Sequence, residues 1–143
     1  MKFVKRKEES SFSFFASLKH ALEYMIEISE NLIKQIREKG LYRFLEEELN
    51  INRGFSLTKD EREFIAKQLS EETGESIRPE NVFTIGELED NILDMAEDAG
   101  VPKSYIHYLD VPAIIADDIQ GGALSYANFR KGYKEFLVFY YPE

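Results

Sequence analysis

Two helix starts separated by a sharp break occupy the stretch from Thr84 to Gly122, and they constrain the fold more than any other part of the chain. Thr84 and Glu87 have the spacing of a capping box, in which each side chain satisfies a free backbone N–H at the helix start. Behind them Ile85, Leu88, Ile92, Met95 and Ala99 recur at helical spacing and predict one apolar face. Glu87, Asp90, Asp94 and Glu97 or Asp98 recur on a different face, and no Lys or Arg lies between Glu80 and Asp98. Gly100 suits the left-handed conformation that ends a helix, and Pro102 discourages continuation. Asp110 then opens a second helix as its N-cap, with Pro112 tolerated in the first turn, where its missing N–H costs nothing. Ala113, Ile114, Ile115, Ala116 and Ile119 predict a short, largely buried helix that stops at Gly121 and Gly122.

Upstream, Ser13 is placed to cap a long helix. Phe15, Leu18, Leu22, Met25, Ser29, Leu32 and Ile36 alternate steps of three and four, with Phe14, Ile26 and Ile33 widening the stripe. That seam suits the spine of a helical bundle, and it could also serve a homodimer. Gly40 ends it. Leu41, Phe44, Leu45 and Leu49 predict a shorter helix whose Glu46, Glu47 and Glu48 form an exposed acidic rim, and 50–54 reads as a loop. Thr58 and Glu61 make another capping box, followed by Phe64, Ile65 and Leu69; Gly74 closes that helix, and 76–83 is a connector containing Pro79. After Gly122 the period changes to two, 128–132 supplies turn residues, and the aromatic run 133–141 is β-prone. The fold class is therefore α+β, mainly α: a helical bundle with a small C-terminal β-hairpin packed against the helices by one face. The expected organisation is a basic tail over 1–12, a helical subdomain over 13–83 and a helical unit with the hairpin over 84–143, the last two allowing one continuous domain.

The 143 residues carry a net charge of −9, unevenly placed. Residues 1–43 hold 9 basic and 6 acidic side chains, residues 44–99 hold 5 and 16, and residues 100–143 hold 4 and 5. The middle third is the acidic object, whereas direct nucleic-acid binding would want a basic stripe. There are no cysteines, which excludes disulfides, thiolate zinc sites and a cysteine nucleophile. No apolar run approaches the roughly 20 residues that span a bilayer, so no membrane partner is expected. The basic start Met1 to Lys7 is followed by Glu8, Glu9, Ser10 and Ser11 where an export signal needs an apolar stretch, so a cytoplasmic protein of a host bacterial cell is expected.

Catalysis and cofactors are not expected. His20 and His107 each lack a second His at ligand spacing, and Gly121-Gly122 ends a helix without a following Lys and Ser or Thr, unlike a phosphate loop. Asp117 and Asp118 could hold a divalent ion with Asp110, but Asp110 is better explained as a cap. The acids on the 84–98 helix suggest another use. Residues three or four apart on a helix stand roughly 5–6 Å apart. Along one DNA strand the charges recur every ~3.4 Å of axis. A row of this kind could occupy a cationic nucleic-acid groove, although it also suits a solvated face of an acidic protein.

The run 108–122 adds a family resemblance. Tyr108, Leu109, Asp110, Ala113, Asp117 and Gly122 follow a pattern of an aromatic, an aliphatic, an Asp, an Ala three on, an Asp four beyond and a Gly before a terminal hairpin. In this it resembles the C-terminal region of antirestriction proteins of the ArdA type, over about residues 88–140, with Val101, Pro102 and the strand near 133–140 fitting loosely. The resemblance implies a protein that inhibits restriction enzymes by mimicking DNA. The expected function is a non-catalytic acidic inhibitor of a DNA-acting host defence system, restriction–modification or a CRISPR effector, carried by a phage or mobile element. Its expected partner is a protein, a host DNA-binding nuclease or restriction complex, with no direct nucleic acid. The partner-binding candidates are Glu87, Asp90, Asp94, Glu97, Asp98, Asp117, Asp118, Glu46, Glu47 and Glu48, with Asp110 structural. The alternative is a helical protein–protein interaction module without DNA mimicry.

Overall fold

A computed structural model describes residues 26–142 of the chain. The expectations for the basic tail, the Ser13 cap, His20 and the seam residues Phe14, Phe15, Leu18, Leu22 and Met25 lie outside the described residues. The described elements run β1 (Ile26–Ser29), α1 (Asn31–Lys39), α2 (Leu41–Asn52), α3 (Lys59–Thr73), a single 3₁₀ turn (Pro79–Asn81), β2 (Val82–Thr84), α4 (Ile85–Asp98), α5 (Lys103–Ile106), α6 (Val111–Gln120), β3 (Ser125–Lys131) and β4 (Lys134–Tyr140). The class is α+β, mainly α, with the hairpin formed by β3 and β4.

The hairpin is the middle of a four-stranded antiparallel sheet in the order β1-β3-β4-β2. Strands from both sides of position 84 thus share one sheet. Its turn is only Gly132 and Tyr133: Lys131 pairs with Lys134, and Gly132 supplies the positive φ of 63° that a two-residue hairpin turn needs. Asn128 is not a turn residue but a fully buried member of β3. Its Oδ1 accepts the Leu32 N–H at 3.0 Å, and its Nδ2 donates to the Phe136 carbonyl at 3.2 Å. The buried amide therefore caps α1 from 96 positions away.

The sheet is covered on both faces, not one. Successive side chains of a strand point to opposite faces. On β4, Leu137 and Phe139 enter a core with Leu32, Phe44, Leu45 and Leu49 of α1 and α2, Leu88 of α4 and Ile115 of α6. Phe136, Val138 and Tyr140 enter a second core with Phe129 of β3 and with Ile65, Ala66 and Leu69 of α3. The Phe136 ring lies 5.0 Å from that of Phe55 and 6.4 Å from that of Phe129.

The N-terminal seam is corrected at its described end. Ile26 to Ser29 is a strand, with Ile26 opposite Lys131 and Ser29 opposite Asn128, and the helix begins only at Asn31. Leu32 and Ile36 are buried within this fold, while Ser29 belongs to the sheet. Pairing with β3 supplies hydrogen bonds that a continuous helix would have made internally, and the alternation of Ile26 and Ile28 with Glu27 and Ser29 suits it. Gly40, at φ 89°, separates α1 from α2, which runs on to Asn52, past the start expected for the loop.

Candidate functional site

The structure bears out the local chemistry that starts α4. Glu87 accepts the Thr84 N–H at 3.0 Å, and the Thr84 hydroxyl oxygen accepts the Glu87 N–H at 3.4 Å. Thr84 also donates its hydroxyl proton to the Phe55 carbonyl at 2.7 Å, anchoring the start to the preceding loop. Leu88 and Ile92 are buried behind it. Met95, expected on the same face, is 60% exposed, and Ala99 is exposed too, because the last turn of α4 projects past the core.

Asp90, Asp94, Glu97 and Asp98 are all exposed along the outer side of α4. Lys103 approaches Glu97 at 4.0 Å, a distance at which an exposed pair contributes little. Among the described residues, no ion pair engages Asp90, Asp94 or Asp98. Glu87 does not belong with them. Its carboxylate is taken by the capping box and by the Arg62 guanidinium of α3, which also donates to the Val82 carbonyl. Glu87 therefore ties α3 to α4, and its signal was the capping box itself.

A shallow groove of about 410 Å³ flanks the row, with Glu80, Asp90 and Asp94 on its walls and Phe83 and Arg62 among its lining. Phe83 meets Tyr141 edge-on at 5.9 Å between ring centroids. Burial, and secondarily the nearby Asp118 carboxylate, push the Tyr141 phenol up from its ordinary value. Asp118 is half-buried, and Asp117 is exposed near the end of α6. The α6 end is closed by the Gly121 N–H on the Asp117 carbonyl at 2.8 Å and by the Ala123 and Leu124 N–H groups on the Asp118 carbonyl at 3.0 and 3.1 Å.

The expected rim of Glu46, Glu47 and Glu48 is not a rim. Consecutive residues on a helix point about 100° apart, so the three acids reach three environments. Glu46 is exposed. Glu47 binds Lys39 at 2.6 Å and Arg43 at 3.7 Å, and the hydrogen bond from Lys39 holds its carboxyl below the usual range. Glu48 is 9% exposed and accepts from Asn52 at 2.9 Å, and burial pushes its carboxyl up.

Asp110 caps α6 as expected, accepting the Ala113 N–H at 3.3 Å. It also accepts the Tyr42 hydroxyl at 3.0 Å, which fastens α6 to α2. Among the described residues, no group of three or more His, Asp and Glu is gathered closely enough to hold a metal ion, and no helix is long and apolar enough to cross a membrane. On the opposite side of α4 lies a second cleft, of about 420 Å³, that sequence reasoning missed. It opens between α2, α4 and the segment 106–112, and Glu46, His107 and Asp110 line it.

No family model, no curated protein and no solved structure matches the chain.

Proposed function

We propose that the protein is a non-catalytic inhibitor of a DNA-acting host defence enzyme, working in the cytoplasm of a bacterial cell as a DNA mimic. The observation that carries this reading is the exposed row Asp90, Asp94, Glu97 and Asp98 on a helix anchored at its start by Thr84 and Glu87, with Lys103 its only basic neighbour among the described ion pairs. A rigid helix presents charge at fixed spacing, so little ordering entropy is lost when a cationic groove closes on it. The ArdA-type pattern at Tyr108 to Gly122 names type I restriction complexes as the first target. A CRISPR effector offers the same physical complement, a positively charged nucleic-acid channel.

Binding of this kind is screened by salt over a Debye length of about 10 Å at 0.1 M. The testing experiment measures affinity for a type I restriction complex and for a Cas9-type effector across a salt series, with duplex DNA as competitor. Steep weakening with salt and competition by DNA are expected from one of the two. Affinity that stays flat with salt removes the mimicry reading.

A second reading, a helical interaction module without mimicry, draws on different side chains. Met95, Tyr105 and Tyr108 are 60%, 63% and 83% exposed, an apolar and aromatic surface around the α4–α5 junction. Binding that survives high salt but is lost on replacing these three by Ser is the outcome that favours it.

A further inference from the structure

Three features meet in the cleft on the far side of α4. It is concave, at about 420 Å³. Its wall is apolar where Leu49, Leu93 and Ile106 meet. Its rim is anionic, but in a graded way. Glu89 is already bound by the Arg53 guanidinium through contacts of 2.8 and 3.2 Å, and Asp110 is shared between its cap and Tyr42. Glu46 is exposed and engages no ion pair among the described residues. Three carboxylates thus face one guanidinium that is itself already paired. The imidazole ring of His107 completes the lining.

We infer that this cleft receives an arginine side chain of the protein partner. The apolar wall suits the aliphatic stem of a long basic residue, whose head then reaches the polar rim. Carboxylates and the flat His107 ring together suit a guanidinium better than an ammonium, since it donates paired hydrogen bonds to carboxylates and stacks on flat rings. The inference rests on the reading that the partner presents a cationic surface. It goes beyond that reading in requiring one inserted side chain, recognised by shape, rather than a row recognised by charge.

The test uses the full chain with isotope-labelled methyl and amide groups, titrated with N-acetyl-arginine N-methylamide and, separately, with the neutral citrulline analogue. Saturable shifts are expected at Leu49, Leu93 and Ile106 for the arginine probe, with binding of the citrulline analogue at least about fivefold weaker, as loss of charge-assisted hydrogen bonds dictates. Asn50, which lines the cleft and is exposed, allows an N50W variant that fills the space without changing charge. E46Q removes one carboxylate that makes no described ion pair. Both variants should weaken the arginine probe by about fivefold or more, while D90N should leave its binding unchanged. Equal binding to wild type and N50W, or shifts centred on Asp90, Asp94 and Asp98, would overturn the inference. The titration needs no target enzyme, so its failure leaves the acidic-row reading standing, and a flat salt series does not alter its result.

Discussion

The backbone of Gly86 lies against the carbonyl of Arg53. A side-chain carbon at position 86 would sit 2.7 Å from the Arg53 carbonyl carbon and closer still to its oxygen. The first turn of α4 is therefore pressed onto the end of α2. Ala is ordinarily worth about 1 kcal/mol over Gly inside a helix, so G86A would stabilise an unobstructed α4. Here the overlap with backbone should outweigh that gain and cost about 1–3 kcal/mol. Urea denaturation should show a lower midpoint for G86A, and an unchanged or higher midpoint would refute the close approach.

Asn128 should be the least replaceable polar residue of the sheet. N128A leaves the buried Leu32 N–H without its acceptor, at about 1–3 kcal/mol for the group left unsatisfied. N128D retains the acceptor but places a carboxylate at a fully buried position, so it should not rescue. Amide exchange at Leu32 should accelerate beyond what the fall in global stability explains in N128A, and only as far as that fall explains in N128D.

Two buried glutamates should act on stability with opposite signs. Burial alone would raise the Glu61 carboxyl, but hydrogen bonds from Lys131 and Thr58 outweigh it and leave the folded value below the ordinary 4.5. Its stabilising contribution is then present above pH 4.5 and is lost as pH falls through the depressed value. Glu48 is the reverse, because burial raises its folded value above 4.5. Its contribution is favourable in acid and disappears as pH rises through the raised value. E61Q should therefore lower the melting temperature at pH 7 and flatten the acid limb. E48Q, which can still accept from Asn52, should raise it at pH 7 and have little effect below about pH 4. Melting curves of both variants from pH 3 to 8 decide the signs.

Neutralising the row should separate folding from binding. D90N, D94N, E97Q and D98N remove exposed charges whose one described ion pair is the long contact from Glu97 to Lys103. The combined variant should melt at the wild-type temperature or slightly above it, relieved of self-repulsion, and should lose most of its affinity for the target. Retained affinity with an unchanged melting temperature would mean that the row is a solvated face.

Asp110 should behave as the structural counterpart of that row. D110A removes both the acceptor for the Ala113 N–H and the acceptor for the Tyr42 hydroxyl. A lost N-cap costs about 0.5–2 kcal/mol. D110N, which can still cap, should recover part of the loss, and calorimetry of the two variants against wild type tests that order.

What the sequence made legible was local. The capping boxes at Thr58 with Glu61 and Thr84 with Glu87, and the cap at Asp110, each lie within four consecutive residues and are present. The exposed row on α4 was legible for the same reason, since one helix carries all of it. Long-range pairing was not. The strand at Ile26 to Ser29 joins β3 about a hundred positions later, and its period of two was masked by the three-and-four spacing that runs through it. Glu87 was read as a partner-binding acid besides its capping role because Arg62, its partner, sits on another helix. One clue to the covered sheet was available: Phe136 to Tyr140 is continuously apolar, the pattern of a strand buried on both sides rather than one. The second cleft had no such clue, because its walls come from three separate stretches.

The strand with a foot in both cores, β4, follows in sequence every element that it joins. During synthesis, helices α1 to α6 and the three other strands are made before the side chains that weld them together exist. Neither half of the molecule can mature early and template the other, and a chain cut after Gly132 would lack the centre of both cores. Folding should thus approach an all-or-none event triggered by the arrival of Phe136 to Tyr140. Until then the apolar sides of α3 and α4 lack the strand on which both cores close.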